Sequence, residues 1–109
     1  MTFVLKAPSS YKWPVEYHTP ADGGQRVKQT FDAEFLPLSP KDAAERLVNL
    51  NDAEAAAVVL IGWKGITDAK GSEVPFSEEA KEQLLAIPMM GSCLMTAYNE
   101  SLRGVIRGN

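Results

Sequence analysis

The sequence predicts an α+β fold in which an N-terminal antiparallel β-hairpin or small sheet packs against three to four α-helices. Two observations support this prediction. Apolar and polar residues alternate along much of 12–36, which is typical of strands that are covered on one face. From Ser39 onward, helix-start signals and apolar residues at three- and four-residue spacing replace the alternation.

Residues 12–19 and 25–36 are predicted to form the hairpin. Val27, Phe31 and Phe35 share one face of the second strand, and the opposite face is mostly charged. The intervening residues 19–24 (TPADGG) are typical of a turn, because glycine adopts positive φ without steric cost. Residues 1–11 fit either a short edge strand or a loose arm. The whole chain, 1–109, is expected to form a single domain with a flexible tail at 104–109.

Two helices are predicted in the middle of the chain. Ser39 is an N-cap residue, and Pro40 suits the first helical position because its φ is already helical. Asp52 is predicted to cap a second helix that continues through Trp63, since apolar residues recur three, four and seven positions apart. The interruption that follows, 62–75, is expected to hold a small ordered turn at 68–71.

Two more helices are predicted toward the end of the sequence. Ser77 caps the third helix, and Pro88 ends it. The fourth helix reaches about Arg103, with Gly104 just beyond its C-terminus. The predicted core residues are Phe31, Phe35, Leu47, Val59, Leu60, Trp63, Leu84, Leu85, Leu94 and Tyr98.

Composition excludes several classes of function. The net charge is −3 and no segment is basic, which argues against a nucleic-acid partner. The most apolar stretch, 55–63, is half the length of a membrane span, and no signal-peptide pattern is visible at the N-terminus. Cys93 is the one cysteine, so an internal disulfide is impossible. We therefore expect a cytoplasmic protein with no membrane or nucleic-acid partner.

Catalytic and metal-binding chemistry has little support in the sequence. Cys93 follows Gly91-Ser92, as in a nucleophile turn, but the one histidine, His18, lies about 75 positions away. One His and one Cys do not supply a zinc site. The turn at 68–71 lacks the oxygen ligands of a calcium loop, and no glycine-rich phosphate loop occurs. We expect no catalytic residues, no metal and no cofactor.

Apolar residues in positions that the core does not require are the strongest functional signal. Phe3, Leu5, Trp13, Met89 and Met90 are the candidate partner-binding residues. Methionine adapts to irregular partners and recurs on binding surfaces. The alternative is that these side chains fill the core. As a group they favour a binding role.

Several short motifs resemble the tail assembly chaperones of long-tailed bacteriophages and prophages. The likeness is one of order and spacing and extends over roughly residues 3–103. Its clearest parts are residues 59–68 (VLIGWKGITD), 74–80 (VPFSEEA) and 84–88 (LLAIP), with 3–8 (FVLKAP), 13–15 (WPV) and 29–35 (QTFDAEF) upstream and 97–98 (AY) and 101–102 (SL) downstream.

The resemblance implies a non-enzymatic protein of phage tail assembly in the bacterial host cytoplasm. Such chaperones bind the long, aggregation-prone tape measure protein and help to recruit subunits of the tail tube around it. The family has no catalytic residues to transfer. The alternative function is a structural virion component, either a minor tail protein or a head–tail connector. Self-association is left open by the sequence.

Overall fold

A computed structural model describes residues 2–104 and confirms the α+β fold. In this part of the chain three antiparallel strands lie in the order β1-β2-β3, accompanied by four α-helices. The strands are β1 (Tyr11–Ala21), β2 (Gln25–Phe35) and β3 (Leu60–Lys64), and the helices are α1 (Pro40–Arg46), α2 (Asp52–Val59), α3 (Glu78–Leu85) and α4 (Met90–Arg103). Of the tail predicted at 104–109, residues 105–109 lie outside the described residues.

β1 and β2 form the predicted hairpin, with unbroken register from the Tyr11–Phe35 pair to the Ala21–Gln25 pair. The turn places positive φ at Gly23 (76°) and Gly24 (78°), where glycine avoids the steric cost. β1 is an edge strand of the sheet. Proline removes a ladder hydrogen-bond donor, and an edge strand tolerates that loss at Pro14 and Pro20.

The outer half of the hairpin extends beyond the helices. The Tyr17 hydroxyl donates to the Pro88 carbonyl (2.8 Å), just before α4, and the Tyr11 hydroxyl hydrogen-bonds Ser101 Oγ (2.7 Å), near its end. Helix α4 has 14 residues and β1 has 11, so they span about 21 Å and about 36 Å respectively. Residues 21–30 are therefore all exposed, and Val27 of the predicted apolar face is 53% exposed.

The prediction of one helix from Asp52 through Trp63 is wrong. The N-cap is Asn51, which forms a capping box with Glu54, and the helix ends at Val59. Residues 60–64 form β3 instead, which pairs with β2. Leucine, isoleucine and tryptophan suit a strand as well as a helix, so helical spacing alone could not distinguish the two. Residues 60–64 form a strand because β2, the central strand, has an edge there with which they can pair.

The remaining helix boundaries follow the predicted signals. Ser39 Oγ accepts from Asp42 N, and Ser77 Oγ accepts from Ala80 N, so both serines are N-caps. α3 ends before Pro88, and Gly104 takes a left-handed φ of 73° at the end of α4. The turn at 68–71 is also confirmed, since Gly71 N donates to Asp68 O (3.0 Å).

The core lies between the sheet face that carries Val15, Ala33 and Phe35 and the helices α2 and α4. Predicted core residues that are buried are Phe35, Val59, Leu60, Leu84, Leu94 and Tyr98, and those only partly buried at its edge are Phe31, Leu47, Trp63 and Leu85. Small residues complete the core at Ala33, Ala56 and Ala97. These three were not among the predicted core residues, although Ala33 lies on the predicted apolar face of β2 and Ala56 in the predicted apolar stripe of α2.

Tyr98 links α4 to the connector that follows β2. Its hydroxyl accepts from Leu38 N (3.1 Å) and donates to Leu36 O (3.2 Å). Burial raises the pKa of the Tyr98 hydroxyl, and the hydrogen bond from Leu38, which lowers this pKa, is the smaller of the two effects. The neutral hydroxyl is therefore the form that the fold stabilises.

Replacing Tyr98 with phenylalanine is expected to lower the free energy of unfolding by about 1–3 kcal/mol, because the variant leaves a backbone donor and acceptor unpaired. The wild type loses stability above about pH 10, where the unfolded tyrosine ionises first, so the difference between the two proteins should shrink there. Urea unfolding of both proteins at neutral and alkaline pH measures this. A difference that grows above that pH would contradict the assignment.

Candidate partner-binding surface

The residues before β1 form an arm without regular secondary structure, 2–10, which agrees with the loose-arm alternative. Its apolar side chains are almost fully open to solvent: Phe3 is 88% exposed, Val4 71% and Leu5 95%. At the base of the arm Ser10 Oγ donates to Glu34 Oε2 (2.8 Å). Three adjacent apolar side chains exposed at this level are unusual unless a partner covers them.

The junction between α3 and α4 exposes a second group of apolar side chains. Met89 is 70% exposed and Ile87 is 38% exposed. Met89 has a left-handed backbone (φ 67°), uncommon for a residue other than glycine. This conformation lets α4 begin directly after Pro88, since Cys93 N already donates to Met89 O (3.0 Å). The apolar side chain of Met89 is therefore exposed to solvent at the tight turn between α3 and α4.

The base of the arm and the junction lie at different points along β1. The arm leaves β1 at Tyr11, whereas Tyr17, six residues along the strand, contacts Pro88 at the junction. Six residues of strand correspond to roughly 20 Å. The arm and the junction therefore start from points roughly 20 Å apart on the hairpin, and we treat them as two apolar surfaces because the side chains of both are exposed.

Two predicted partner-binding residues lie elsewhere. Met90 is only 3% exposed and belongs to the core, so its prediction as a surface residue needs correction. The first residue of α4 turns inward, while Met89 just before it turns outward. Trp13 is half-buried and packs against the core. Phe3, Leu5 and Met89 remain as exposed candidates.

A groove of about 670 Å³ separates the hairpin from the α3–α4 junction. Of the described residues that line it, none is charged. They are Tyr17, Thr19, Gln29, Thr30 and Phe31 of the hairpin, Gly65, Ile66 and Thr67 after β3, and Leu84, Ile87 and Met90 at the junction. We call this the junction groove. The groove was not predicted from the sequence, because its lining comes from three segments that lie far apart along the chain.

A second groove, of about 410 Å³, lies between β1 and α4. Both His18 and Cys93 line it, although they lie far apart in the sequence. His18 is exposed, as predicted for a strand residue, and Cys93 is half-buried beside the core. Glu16, also in the lining, pairs with Lys28 (3.6 Å).

Gly91, before Cys93, serves packing between helices. A Cβ at Gly91 would lie 2.7 Å from both N and Cα of Ala53, so α2 and α4 approach closely there. Within residues 2–104, no three His, Cys, Asp or Glu side chains are grouped to hold a metal ion. No helix in the same range is long and apolar enough to cross a membrane.

Comparison with known families identifies the origin of the chain. The family described as YdaY prophage protein matches residues 22–97, from the hairpin turn into α4. The chain belongs to the YdaY prophage protein family. The match includes the junction and most of the junction groove, and the arm and all of β1 lie before it. Comparisons with curated proteins and with solved structures gave no match.

Proposed function

We propose that this member of the YdaY prophage protein family is a tail assembly chaperone that binds the tape measure protein and assists recruitment of tail tube subunits. The observation that carries the proposal is the exposed apolar surface of the arm and the junction, on a chain of a prophage family. The motifs that resemble tail assembly chaperones support the choice of client. The role requires no catalytic residue, metal or cofactor, and we propose a non-enzymatic function in the host cytoplasm.

Two apolar surfaces suit a client that is long and repetitive. Each contact is individually weak, but two linked contacts on one client raise the overall affinity through effective concentration. The negative net charge of the chaperone, −3, disfavours binding to nucleic acid. At the arm and the junction, contact with the client is apolar.

Charge at the exposed apolar positions should weaken client binding without unfolding the protein. We expect Leu5→Asp and Met89→Asp each to reduce the amount of tape measure protein that co-purifies with the tagged chaperone, with a Tm close to that of the wild type. Both side chains are exposed (95% and 70%), so their loss removes few native contacts. Val48→Asp is the matched control, since Val48 is 57% exposed outside the arm and the junction. Equal losses in all three variants would contradict this assignment.

Met89→Gly separates binding from stability more sharply. Glycine adopts the left-handed backbone of this position without the strain that methionine carries. We expect an unchanged or higher Tm together with weaker retention of the tape measure protein. Thermal unfolding and co-purification of the same preparation measure both. A fall in Tm of several degrees would show that the Met89 side chain supports the fold.

A virion component would remain in the finished particle, whereas a chaperone leaves it. Mass spectrometry of purified tails from the induced prophage distinguishes these two functions. We expect peptides of this chain to be absent or at trace level relative to tail tube subunits. Peptides at stoichiometric abundance would support the structural-component alternative and contradict the chaperone function.

A further inference from the structure

The hairpin tip comprises residues 17–30, from the second half of β1 to the first half of β2. In this tip, one backbone edge of β2, the central strand of the sheet, has no paired strand among the described residues. β3 pairs with β2 only from Asp32 to Phe35, and Gly65 (φ 91°), just after β3, still lies against Phe31, since a Cβ there would be 3.8 Å from Phe31 Cα. Residues 25–30 of β2 pair with β1 on one side and, within residues 2–104, with no strand on the other. In an antiparallel pair alternate residues direct their N–H and C=O groups away from the partner. About half of the backbone groups in this segment therefore face an open edge.

The surroundings of this edge differ on the two faces of the sheet. On one face lies the junction groove, with Phe31, Ile66 and Leu84 in its lining and Val27 exposed beside it. The opposite face of β2 carries Arg26 and Lys28, both exposed. A strand laid against this edge would have alternate side chains beside an uncharged groove and beside two basic groups.

We propose that the open edge of β2 at residues 25–30 accepts an extended segment of a partner protein in which apolar side chains alternate with carboxylates. The apolar side chains enter the junction groove, and the carboxylates lie beside Arg26 and Lys28. The proposal rests on the proposed function, because it names how one stretch of the client is held. It assigns the open edge of β2 to backbone pairing and the junction groove to the apolar side chains of the same segment, and it leaves the arm to other contacts.

Charge determines the choice of occupant. Arg26 and Lys28 lie on the strand that carries the open edge, so an added strand would lie directly beside them. Glu16, the carboxylate paired with Lys28, belongs to β1, one strand further away. Two copies of this chain that paired through the same edge in antiparallel orientation, in the register centred on Val27, would place Arg26 opposite Lys28 twice. Moving that centre by one residue would place Arg26 opposite Arg26 or Lys28 opposite Lys28. Like charges directly opposite are destabilising, so the edge disfavours a second copy and favours an acidic strand.

Synthetic hexapeptides with valine and glutamate in alternation test the proposal on the isolated protein. NMR titration should shift the backbone amides of residues 25–31 and leave those of α1 unchanged. Replacing glutamate with lysine in the peptide should weaken binding roughly tenfold, through the loss of two cross-strand charge pairs. Two further peptides report strand pairing directly, because each is N-methylated on one of the two sets of alternate amides. Only one set faces the protein in a paired strand, so the two peptides should differ in affinity. Equal affinity of these two peptides would overturn strand addition.

Reversal of the basic pair provides the matched protein variant. The double variant Arg26→Glu/Lys28→Glu should lose affinity for the glutamate peptide and gain affinity for the lysine peptide. The control double variant Lys41→Glu/Lys70→Glu has the same change in net charge and should still prefer the glutamate peptide. Shifts of 25–31 that depend on protein concentration without peptide would assign the edge to a second copy and overturn the proposal. Tape measure protein plays no part in this test. If the peptides fail while the chaperone still co-purifies with its client, only the strand-addition proposal is wrong.

Discussion

Replacing Phe35 with alanine is expected to lower the free energy of unfolding by about 3–5 kcal/mol. Phe35 is fully buried, and its ring contacts Tyr98 edge-to-face (centroids 5.3 Å apart) and Tyr11 at 6.4 Å. These rings join β2, β1 and α4, so the substitution removes packing among three elements at once. Small domains have a total stability of about 5–15 kcal/mol, and a loss of this size is a large fraction of it.

Equilibrium urea unfolding followed by tyrosine and tryptophan fluorescence measures the loss at Phe35. Val27→Ala is the control, because Val27 lies on the same face of the same strand but is 53% exposed at the hairpin tip. We expect its effect to stay within about 0.5 kcal/mol. Similar losses at the two positions would mean that the helices cover the whole hairpin, contrary to the described structure.

Gly91→Ala is the second substitution with a large expected effect. An added methyl group would lie 2.7 Å from backbone atoms of Ala53, and backbone cannot move aside as a flexible side chain can. We expect a loss of about 1–3 kcal/mol from overpacking. Helix propensity alone predicts the opposite sign, a gain of about 1 kcal/mol. The sign of the change therefore reports the contact between α2 and α4.

Cys93→Ala completes the test of the Gly91-Ser92-Cys93 segment. Cys93 is half-buried beside the core, so alanine should cost less than Gly91→Ala and should leave co-purification of the client unchanged. Thermal unfolding and the client assay on both variants measure this. Two results together would contradict the packing role of the segment. They are a higher Tm for Gly91→Ala and less co-purified tape measure protein with Cys93→Ala.

Local signals predicted the boundaries of most elements. Serine N-caps at Ser39 and Ser77, and glycines at the hairpin turn and after α4, act through backbone groups of their own neighbours. Such interactions are contained in a few adjacent residues. The sequence therefore carries them in full.

The failures arose where distant parts of the chain decide the structure. Leu60 and Trp63 have helical spacing from α2, yet they belong to β3 because β2 offers an edge to pair with. Met89 and Met90 are adjacent and chemically identical, yet Met89, with its left-handed backbone, is exposed and Met90, the first residue of α4, is buried. The junction groove joins segments far apart in sequence, so no local pattern announces it.

The candidate surface was predictable in kind and only partly in position. Phe3 and Leu5 were identified because no core-forming pattern required them, and they are exposed. The open edge of β2 depends on where β3 ends. Residues 60–63 of β3 were predicted to belong to a helix, so this edge could not be predicted. A prediction of surface chemistry is therefore more dependable than a prediction of which surfaces adjoin.

Co-expression with the tape measure protein of the same prophage tests the central claim most directly. The measured quantity is the soluble fraction of the tape measure protein, with this chain, without it, and with the Leu5→Asp/Met89→Asp variant. We predict a large increase with the wild-type chain and a much smaller one with the variant, when the two are expressed at equal levels. A soluble fraction that is the same with and without the wild-type chain would contradict the chaperone function.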